Sequence, residues 1–349
     1  MDELFIICLT AFLSALLAWG FKRLPGENWQ FIAAIPVKKE TNGSWAGLNL
    51  TYYGFFSASA CLIATAVLCI LLGSIGISPK IMLMMAVCII GLCMPAARFT
   101  ARIVEKKKFT FSVQGASFVG ILIAPWTIVM LNRLMEANSH TRPDVIVALA
   151  AIVTSFALGE GVGRLSCISF GCCYGKPLSQ TSPLMQKLFA HLYFIFYGST
   201  KKIAYADGLD GSRIIPVQAI TSIVLCLTGV AGTYLFLKGF YVLTFVGVVS
   251  ITQIWRFLSE FIRADHRGEG KISAYQIMGF LTIFYALAIA WLFPVSAHPE
   301  HDIIAGLHTI WKPSVILFLQ ILWLLTFIYT GRSKVTGATL SFSVIKENI

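Results

Sequence analysis

Long apolar segments dominate the chain, and most of them are separated by short polar connections. A run of about 20 apolar residues is long enough to cross the hydrocarbon layer of a membrane as a helix. Nine such runs lie at 4–21, 51–75, 81–97, 109–131, 145–159, 214–237, 239–255, 272–293 and 313–330. The pattern predicts an all-α fold: a polytopic integral membrane helical bundle of about nine transmembrane helices, with one long interfacial connection at 175–213. Within that connection the aromatic stretch 185–197 suits an amphipathic helix that lies in the membrane interface or forms a lid.

Composition supports this class and excludes an ordinary soluble domain. Hydrophobic residues make up 57% of the 349 positions and charged residues only 12%, and the mean hydropathy is +0.78. The first run carries Asp2 and Glu3 where a signal peptide needs basic residues, so we expect a retained helix. The chain is therefore predicted to be a single membrane domain over 1–349 whose partner is the membrane and not a nucleic acid.

The stretch 158–177, LGEGVGRLSCISFGCCYGKP, departs most from the apolar pattern. It places Glu160 and Arg164 at membrane depth or at its edge, where ionisable groups are costly and usually functional. We expect a helix that breaks as it leaves the membrane and directs Arg164 into a polar cavity.

Glycines in the same stretch indicate close packing and turns. Gly159 and Gly163 form a G-x-x-x-G step that lets a second helix approach closely. Gly171 and Gly175 are expected to permit positive-φ turns.

A second group of charges ends the seventh apolar run. Arg256, Glu260 and Arg263 are spaced i, i+4, i+7, which predicts that they share one helical face. Guanidinium groups bind phosphate oxygens bidentately, and a carboxylate between two of them can hold both in place. The alternative is an ion ladder whose members only neutralise one another at a helix end.

The nine cysteines do not form a disulfide framework, because six of them lie inside apolar runs, where cysteine behaves as a small hydrophobe. The three that remain are Cys167, Cys172 and Cys173. Cys172 or Cys173 is a candidate covalent nucleophile, since nearby cations favour the thiolate, and the alternative is packing against a tight turn. A zinc site is disfavoured by the spacing and by the lack of a nearby histidine, so no metal is expected.

The Gly163-Arg164 pair, its spacing to Gly175 and the Gly-Cys-Cys-Tyr-Gly ending resemble the signature of the prolipoprotein diacylglyceryl transferase family. In that family Gly-Arg is followed by Asn, Phe, a second Asn and a Glu, and the corresponding positions here are Cys167, Ile168, Phe170 and Cys172. The frame is similar, whereas much of the polar lining differs.

Further segments extend the resemblance over about 52–293. Segment 113–120 resembles the family's His-Gly-Gly stretch, with Gln114 or Ser117 where a histidine is expected, so a general base is missing there. Gln218 lies in a Pro-x-Gln element, Gln276 ends a Ser-x-x-Gln element, and Tyr53 begins the first shared helix. The resemblance implies a transferase-like core at 51–293, preceded by an extra helix and interfacial loop at 1–50 and followed by an extra helix and tail at 294–349.

The resemblance implies transfer of a diacylglyceryl group from phosphatidylglycerol, or another anionic phospholipid, to a prolipoprotein cysteine thiol, with release of glycerol phosphate and no cofactor. Residues expected in catalysis are Arg164, Arg256, Glu260 and Glu160, with the glutamates as available bases. Residues expected to bind substrate are Arg263, Gln114, Gln218, Tyr53, Ser117 and Gln276.

Three other functions remain open. The acceptor could be a small molecule or glycan, with the active site at the cytoplasmic face. The protein could instead be a non-catalytic lipid-binding or transport protein, because the family's base is missing. The clustered cysteines could also serve a thiol-dependent sensor.

Charge is distributed unequally between the two sides of the membrane. With nine alternating spans, 21 of the 27 lysine and arginine residues fall on the side that holds 171–175. The positive-inside rule then predicts a cytoplasmic site. The family resemblance implies the outer leaflet of the bacterial cytoplasmic membrane, and both orientations stay open.

Overall fold

The computed structural model describes residues 1–104, 113–134, 143–264, 272–295 and 300–349. Nine of the helices in these residues are long and apolar enough to cross a membrane, which confirms the predicted number of spans. The helices are α1 (Asp2–Arg23), α2 (Tyr52–Ser74), α3 (Pro79–Val104), α4 (Val113–Leu134), α5 (Val145–Phe170), α6 (Pro183–Leu188), α7 (Lys202–Asp207), α8 (Val217–Leu237), α9 (Tyr241–Ser259), α10 (Ala274–Leu292), α11 (Ile303–Ile310) and α12 (Pro313–Gly331). The short helices α6, α7 and α11 are not among the spans.

Helix α5 forms the centre of the bundle, and most of its residues are buried. It packs mainly against α2, α8 and α9. A Cβ atom on Gly159 would lie 2.6 Å from Ala64 Cβ, and one on Gly161 would lie 2.6 Å from Cys226 Sγ. The absence of side chains at these glycines lets α2 and α8 approach the α5 backbone, which confirms the close approach predicted at the G-x-x-x-G step.

A small antiparallel sheet at the membrane edge was not predicted. Strands β1 (Phe31–Lys39), β2 (Trp45–Thr51) and β5 (Arg332–Leu340) form a sheet in the order β1-β2-β5. Thr51 Oγ1 donates a hydrogen bond to Gly331 O at 2.9 Å where β2 meets the end of α12. Strand β5 lies about 290 residues after its partner β2, so local sequence patterns could not reveal this pairing.

The long connection at 175–213 contains less helix than its aromatic pattern suggested. An amphipathic helix was expected from about 185 to 197, but α6 ends at Leu188. The chain then forms β3 (Phe194–Ile195), which pairs antiparallel with β4 (Arg213–Ile214). The helix prediction was wrong because Phe194 and Phe196 alternate into the core, with exposures of 8% and 0%, and alternation suits an extended strand.

Candidate active site

The last turns of α5 carry the central charges, and the helix remains continuous there. Helix α5 continues past Gly159 to Phe170 and ends at Gly171, whose φ of 68° is left-handed, which confirms the positive-φ turn predicted at Gly171. Glycine is favoured at this position because it has no Cβ to clash. The positive φ predicted for Gly175 was wrong. A Cβ at Gly175 would lie 2.3 Å from Ile215 O, so this glycine instead permits close backbone packing.

A buried cluster of one carboxylate and two guanidinium groups joins α5 to α9. Glu160 Oε1 accepts a hydrogen bond from Arg164, one turn further along α5, and Glu160 Oε2 accepts one from Arg256 on α9. The side chains of Glu160, Arg164 and Arg256 are 3%, 11% and 6% exposed. Two positive charges and one negative charge leave the cluster with a net charge of +1 at the end of a membrane helix.

Arg256, Glu260 and Arg263 do not share one helical face, so that prediction was wrong. Helix α9 ends at Ser259, a single 3₁₀ turn covers Glu260–Ile262, and Arg263 is extended with φ −86° and ψ 151°. The change from α to 3₁₀ geometry ends the 3.6-residue periodicity on which the prediction depended.

Backbone pairing nevertheless brings Arg263 to the site. Arg263 forms an antiparallel bridge with Gly175. Lys176 N donates to Ile262 O at 3.0 Å, and Ala264 N donates to Tyr174 O at 3.1 Å. The guanidinium group of Arg263 lies close enough to that of Arg164 for the two charges to repel. Arginines from two distant segments therefore converge on one region.

The carboxylate between two arginines is Glu160, whereas the sequence suggested Glu260. Both oxygens of Glu160 are occupied by guanidinium groups, so the side chain holds Arg164 and Arg256 in position. This placement favours a positioning role over the predicted role of general base. Glu260 is half-buried in the 3₁₀ turn, and its catalytic role remains a prediction.

The three cysteines of the central stretch come together. The Sγ atoms of Cys167, Cys172 and Cys173 all lie within 4.8 Å of one another. The left-handed turn at Gly171 folds the chain back, and Cys172 N donates to Cys167 O at 3.0 Å. The spacing argument against a metal site therefore does not hold in the folded chain.

Two predicted binding residues border this cysteine cluster. Tyr53 lies within electrostatic range of the three thiols and of Arg164, and its ring packs edge-on against Phe170 at 5.7 Å. Gln218 Nε2 donates to Cys172 O at 2.9 Å and so supports the turn. Both residues belong to the candidate site.

The other predicted binding residues occupy helix contacts. Gln114 Nε2 donates to Tyr275 O at 2.6 Å and ties α4 to α10. Gln276 forms a capping box with Ser273 at the start of α10. Ser117 is buried on α4. The structure gives Gln114 and Gln276 structural contacts, and the binding role of Ser117 remains a prediction.

Sequence reasoning missed Lys201, which lies in the long connection and has no exposed surface. Its Nζ donates to Leu24 O at 3.0 Å and to Ser169 O at 2.9 Å, and so links the end of α1 to the end of α5. Burial lowers the pKa of Lys201 to about 8. The sequence gives no signal that Lys201 is buried, since a Lys-Lys pair in a loop is usually solvated.

His298, His301 and His308 lie near the last apolar run, and such residues usually belong to a solvated loop. His301 is instead half-buried, 2.7 Å from Tyr241 Oη, and burial lowers its pKa. His308 is exposed on α11, and His298 lies outside the described residues. Tyr241 begins α9 whereas the arginine cluster lies at its end, so His301 is at the opposite side of the bundle.

Comparison with known proteins agrees with the resemblance seen in the sequence. The sequence model of the family described as prolipoprotein diacylglyceryl transferase matches residues 44–292. The phosphatidylglycerol--prolipoprotein diacylglyceryl transferase of Clostridium tetani (strain Massachusetts / E88) is 27% identical over 158 residues, which are 42% of this chain and 53% of that protein. The match therefore spans about half the length of that relative. No solved structure shows a significant match to the chain. Because the family match covers well over half of its residues, the chain belongs to the prolipoprotein diacylglyceryl transferase family.

Proposed function

We propose that this membrane protein transfers a diacylglyceryl group from phosphatidylglycerol to a cysteine thiol of a lipoprotein precursor and releases glycerol phosphate. The observation that carries the proposal is the buried cluster of Glu160, Arg164 and Arg256. Its net positive charge at a membrane-helix end suits an anionic phospholipid headgroup. The family and the name of the relative from Clostridium tetani support the choice of donor and acceptor.

Charge balance supports a phosphate ligand. A phosphodiester carries one negative charge, which would neutralise the net charge of +1 on the buried cluster. In the reaction the acceptor sulfur forms a bond to the glycerol carbon, the C–O bond breaks, and its electron pair goes to the departing phosphate. That phosphate gains a second negative charge, and Arg263 lies close enough to supply a further positive charge.

Unsatisfied polar atoms also support a ligand here. Among the described residues, Arg164 Nε and Gln218 Oε1 are buried without a hydrogen-bond partner. Buried donors and acceptors without partners are costly and rare, so each such atom requires an explanation. A phosphate oxygen could accept from Arg164 Nε, and a glycerol hydroxyl could donate to Gln218 Oε1.

Release of glycerol phosphate tests the transferase. Purified protein in phosphatidylglycerol vesicles, given a peptide with one cysteine, should release water-soluble glycerol phosphate. Arg164→Ala should lower the rate at least about 100-fold, the usual cost of losing one donor to a developing anion. Arg98→Ala is the control, since Arg98 is exposed on α3 and lies over the Tyr329 ring. Lipid binding without any release would favour the non-catalytic alternative.

We also propose that the protein resides in the bacterial cytoplasmic membrane, and its orientation needs a separate measurement. Lys176 is exposed beside the site. A Lys176→Cys variant can be treated in whole cells with a maleimide that does not cross membranes, with the parent chain as background. Labelling in intact cells would place the site outside, as the family resemblance implies. Labelling only after lysis would place it in the cytoplasm, as the charge distribution predicts.

A further inference from the structure

The cysteine cluster has the donor set and nearly the dimensions of a zinc site. In tetrahedral zinc–thiolate geometry a Zn–S bond of about 2.3 Å places two sulfurs about 3.8 Å apart. The sulfurs of Cys167, Cys172 and Cys173 already lie within 4.8 Å of one another, so a contraction of about 1 Å or less would suffice. Thiolates are soft ligands that select zinc over magnesium or calcium.

The number of ligands indicates the kind of site. Structural zinc sites are closed by four protein ligands, whereas catalytic sites have three and keep a fourth position open. The cluster offers three thiols. Cys173 is partly exposed, while Cys167 and Cys172 are buried, so the cluster is open on one side. A zinc ion held here could therefore take a fourth ligand from outside the chain.

Backbone strain supports a functional role for this turn. Cys173 has a φ of 57° and is the non-glycine residue with positive φ in the described part of the chain. Such a conformation is unfavourable for a residue that carries a Cβ, and it is retained where the surroundings impose it, often at functional sites. The hydrogen bond from Gln218 to Cys172 O holds the turn from the α8 side.

Electrostatics favours a zinc–trithiolate beside the arginines. Three thiolates and one Zn²⁺ ion carry a net charge of −1. Arg164 interacts electrostatically with Cys167 and Cys173, and its cluster with Glu160 and Arg256 carries +1. The arginines would therefore stabilise the thiolates, and Arg263, which lies close to Arg164, would leave one net positive charge for the phospholipid.

We propose that Cys167, Cys172 and Cys173 bind Zn²⁺ and that the open position binds the acceptor thiol as its thiolate. This inference rests on the proposed function and supplies the acceptor activation that Gln114 and Ser117 cannot provide as bases. The thiol proton leaves to water on binding, and the thiolate then attacks the glycerol carbon. A C–S bond forms, the C–O bond breaks, and its electron pair goes to the phosphate, so no oxidant or reductant is needed.

Metal binding is the first test. The full-length, reduced protein in detergent should bind one Zn²⁺ or one Co²⁺, and the cobalt form should show sulfur-to-metal charge-transfer absorption in the near ultraviolet. Cys167→Ser, Cys172→Ser and Cys173→Ser should each weaken binding at least tenfold. Cys226→Ala is the matched control, because Cys226 is a buried thiol that faces α5 outside the cluster. Absence of binding, or equal binding by the serine variants, would overturn the inference.

Binding of the acceptor at the metal is the second test. Adding a peptide with one cysteine to the cobalt-loaded protein should shift the visible absorption bands of the metal, and the same peptide with serine should not. An unchanged spectrum would overturn the open-position inference. The measurement needs no phospholipid turnover, so it decides the inference independently of the transferase assay.

The transferase assay separates the two proposals. Removing zinc with a chelator should lower glycerol phosphate release at least tenfold, and added Zn²⁺ should restore it. Full release without metal would overturn the zinc inference and leave the transferase intact. No release from either form would refute the transferase, while the spectra would still test the metal site. A diacylglyceryl mass adduct on Cys172 or Cys173 would instead identify a covalent nucleophile and overturn the inference.

Discussion

Replacing Glu160 with glutamine would test whether the buried cluster holds the site together. The change preserves the size of the side chain but removes its charge, and it leaves Arg164 and Arg256 buried beside a neutral amide. Removing one partner from a buried ion pair costs about 3–5 kcal/mol, because the other charge is left uncompensated. Two guanidinium groups lose their shared partner here, so we expect a loss of unfolding free energy of about this size.

The assay is the midpoint of thermal unfolding in detergent, with Glu3→Gln as the control. Glu3 pairs with Lys238 at 3.9 Å, and its side chain is 77% exposed, so its loss should cost less than about 1 kcal/mol. A double variant, Glu160→Gln with Arg256→Gln, should recover part of the loss because it removes one of the two unpaired cations. Equal midpoints for Glu160→Gln and Glu3→Gln would refute a structural role for the cluster.

The same variant separates two roles for Glu160 in activity. If Glu160 positions the arginines, phosphatidylglycerol binding measured without acceptor should weaken together with turnover. If Glu160 takes the proton of the acceptor, lipid binding should be unchanged and turnover alone should fall. We expect the first result, because both oxygens of Glu160 already accept from arginines.

Three further predictions follow from packing, ionisation and hydrogen bonding. A Cβ on Gly54 would lie 2.1 Å from Gly331 Cα, so Gly54→Ala should destabilise the contact between α2 and α12 by about 1–3 kcal/mol. The control is Gly91→Ala, which should leave the melting temperature unchanged because a Cβ at Gly91 would meet open space. The pKa of Lys201 in the folded chain, about 8, lies below the value near 10.4 of an unfolded lysine. The unfolded chain therefore binds that proton more tightly, and stability in thermal melts should rise between pH 8 and about pH 10, with no such rise in Lys201→Met. Gln218→Leu should weaken zinc binding about 10- to 100-fold in a competition assay, because it removes the hydrogen bond that holds the backbone of Cys172 in place. Unchanged zinc affinity would contradict a supporting role for Gln218.

The chemistry of the site was only partly visible in the sequence. Arg164 and Arg256 stood out because charged residues are rare in apolar segments. The sequence did not show that Glu160 would join them, since that contact spans 96 residues and depends on how α5 packs against α9. Nor did it show the buried ammonium group of Lys201, which depends on the ends of two helices meeting.

The cysteines show how a single backbone conformation changes a prediction. Their spacing along the chain argued against a metal site. The left-handed conformation of Gly171 ends α5 and reverses the chain, which brings the three sulfurs together. Such a turn is permitted by glycine but not required by it, so the sequence alone allowed several paths for the chain.

The sequence by itself determined the class of the protein, the number of spans and the close approach of helices at Gly159. These properties depend on the length of each apolar run and on the size of individual side chains, which are local quantities. Tertiary structure decided the pairing of β1, β2 and β5, the ion partners of Glu160 and the convergence of the cysteines. Those contacts join segments far apart in the chain or depend on the conformation of one turn, so they form and stabilise the fold only when the helices have packed.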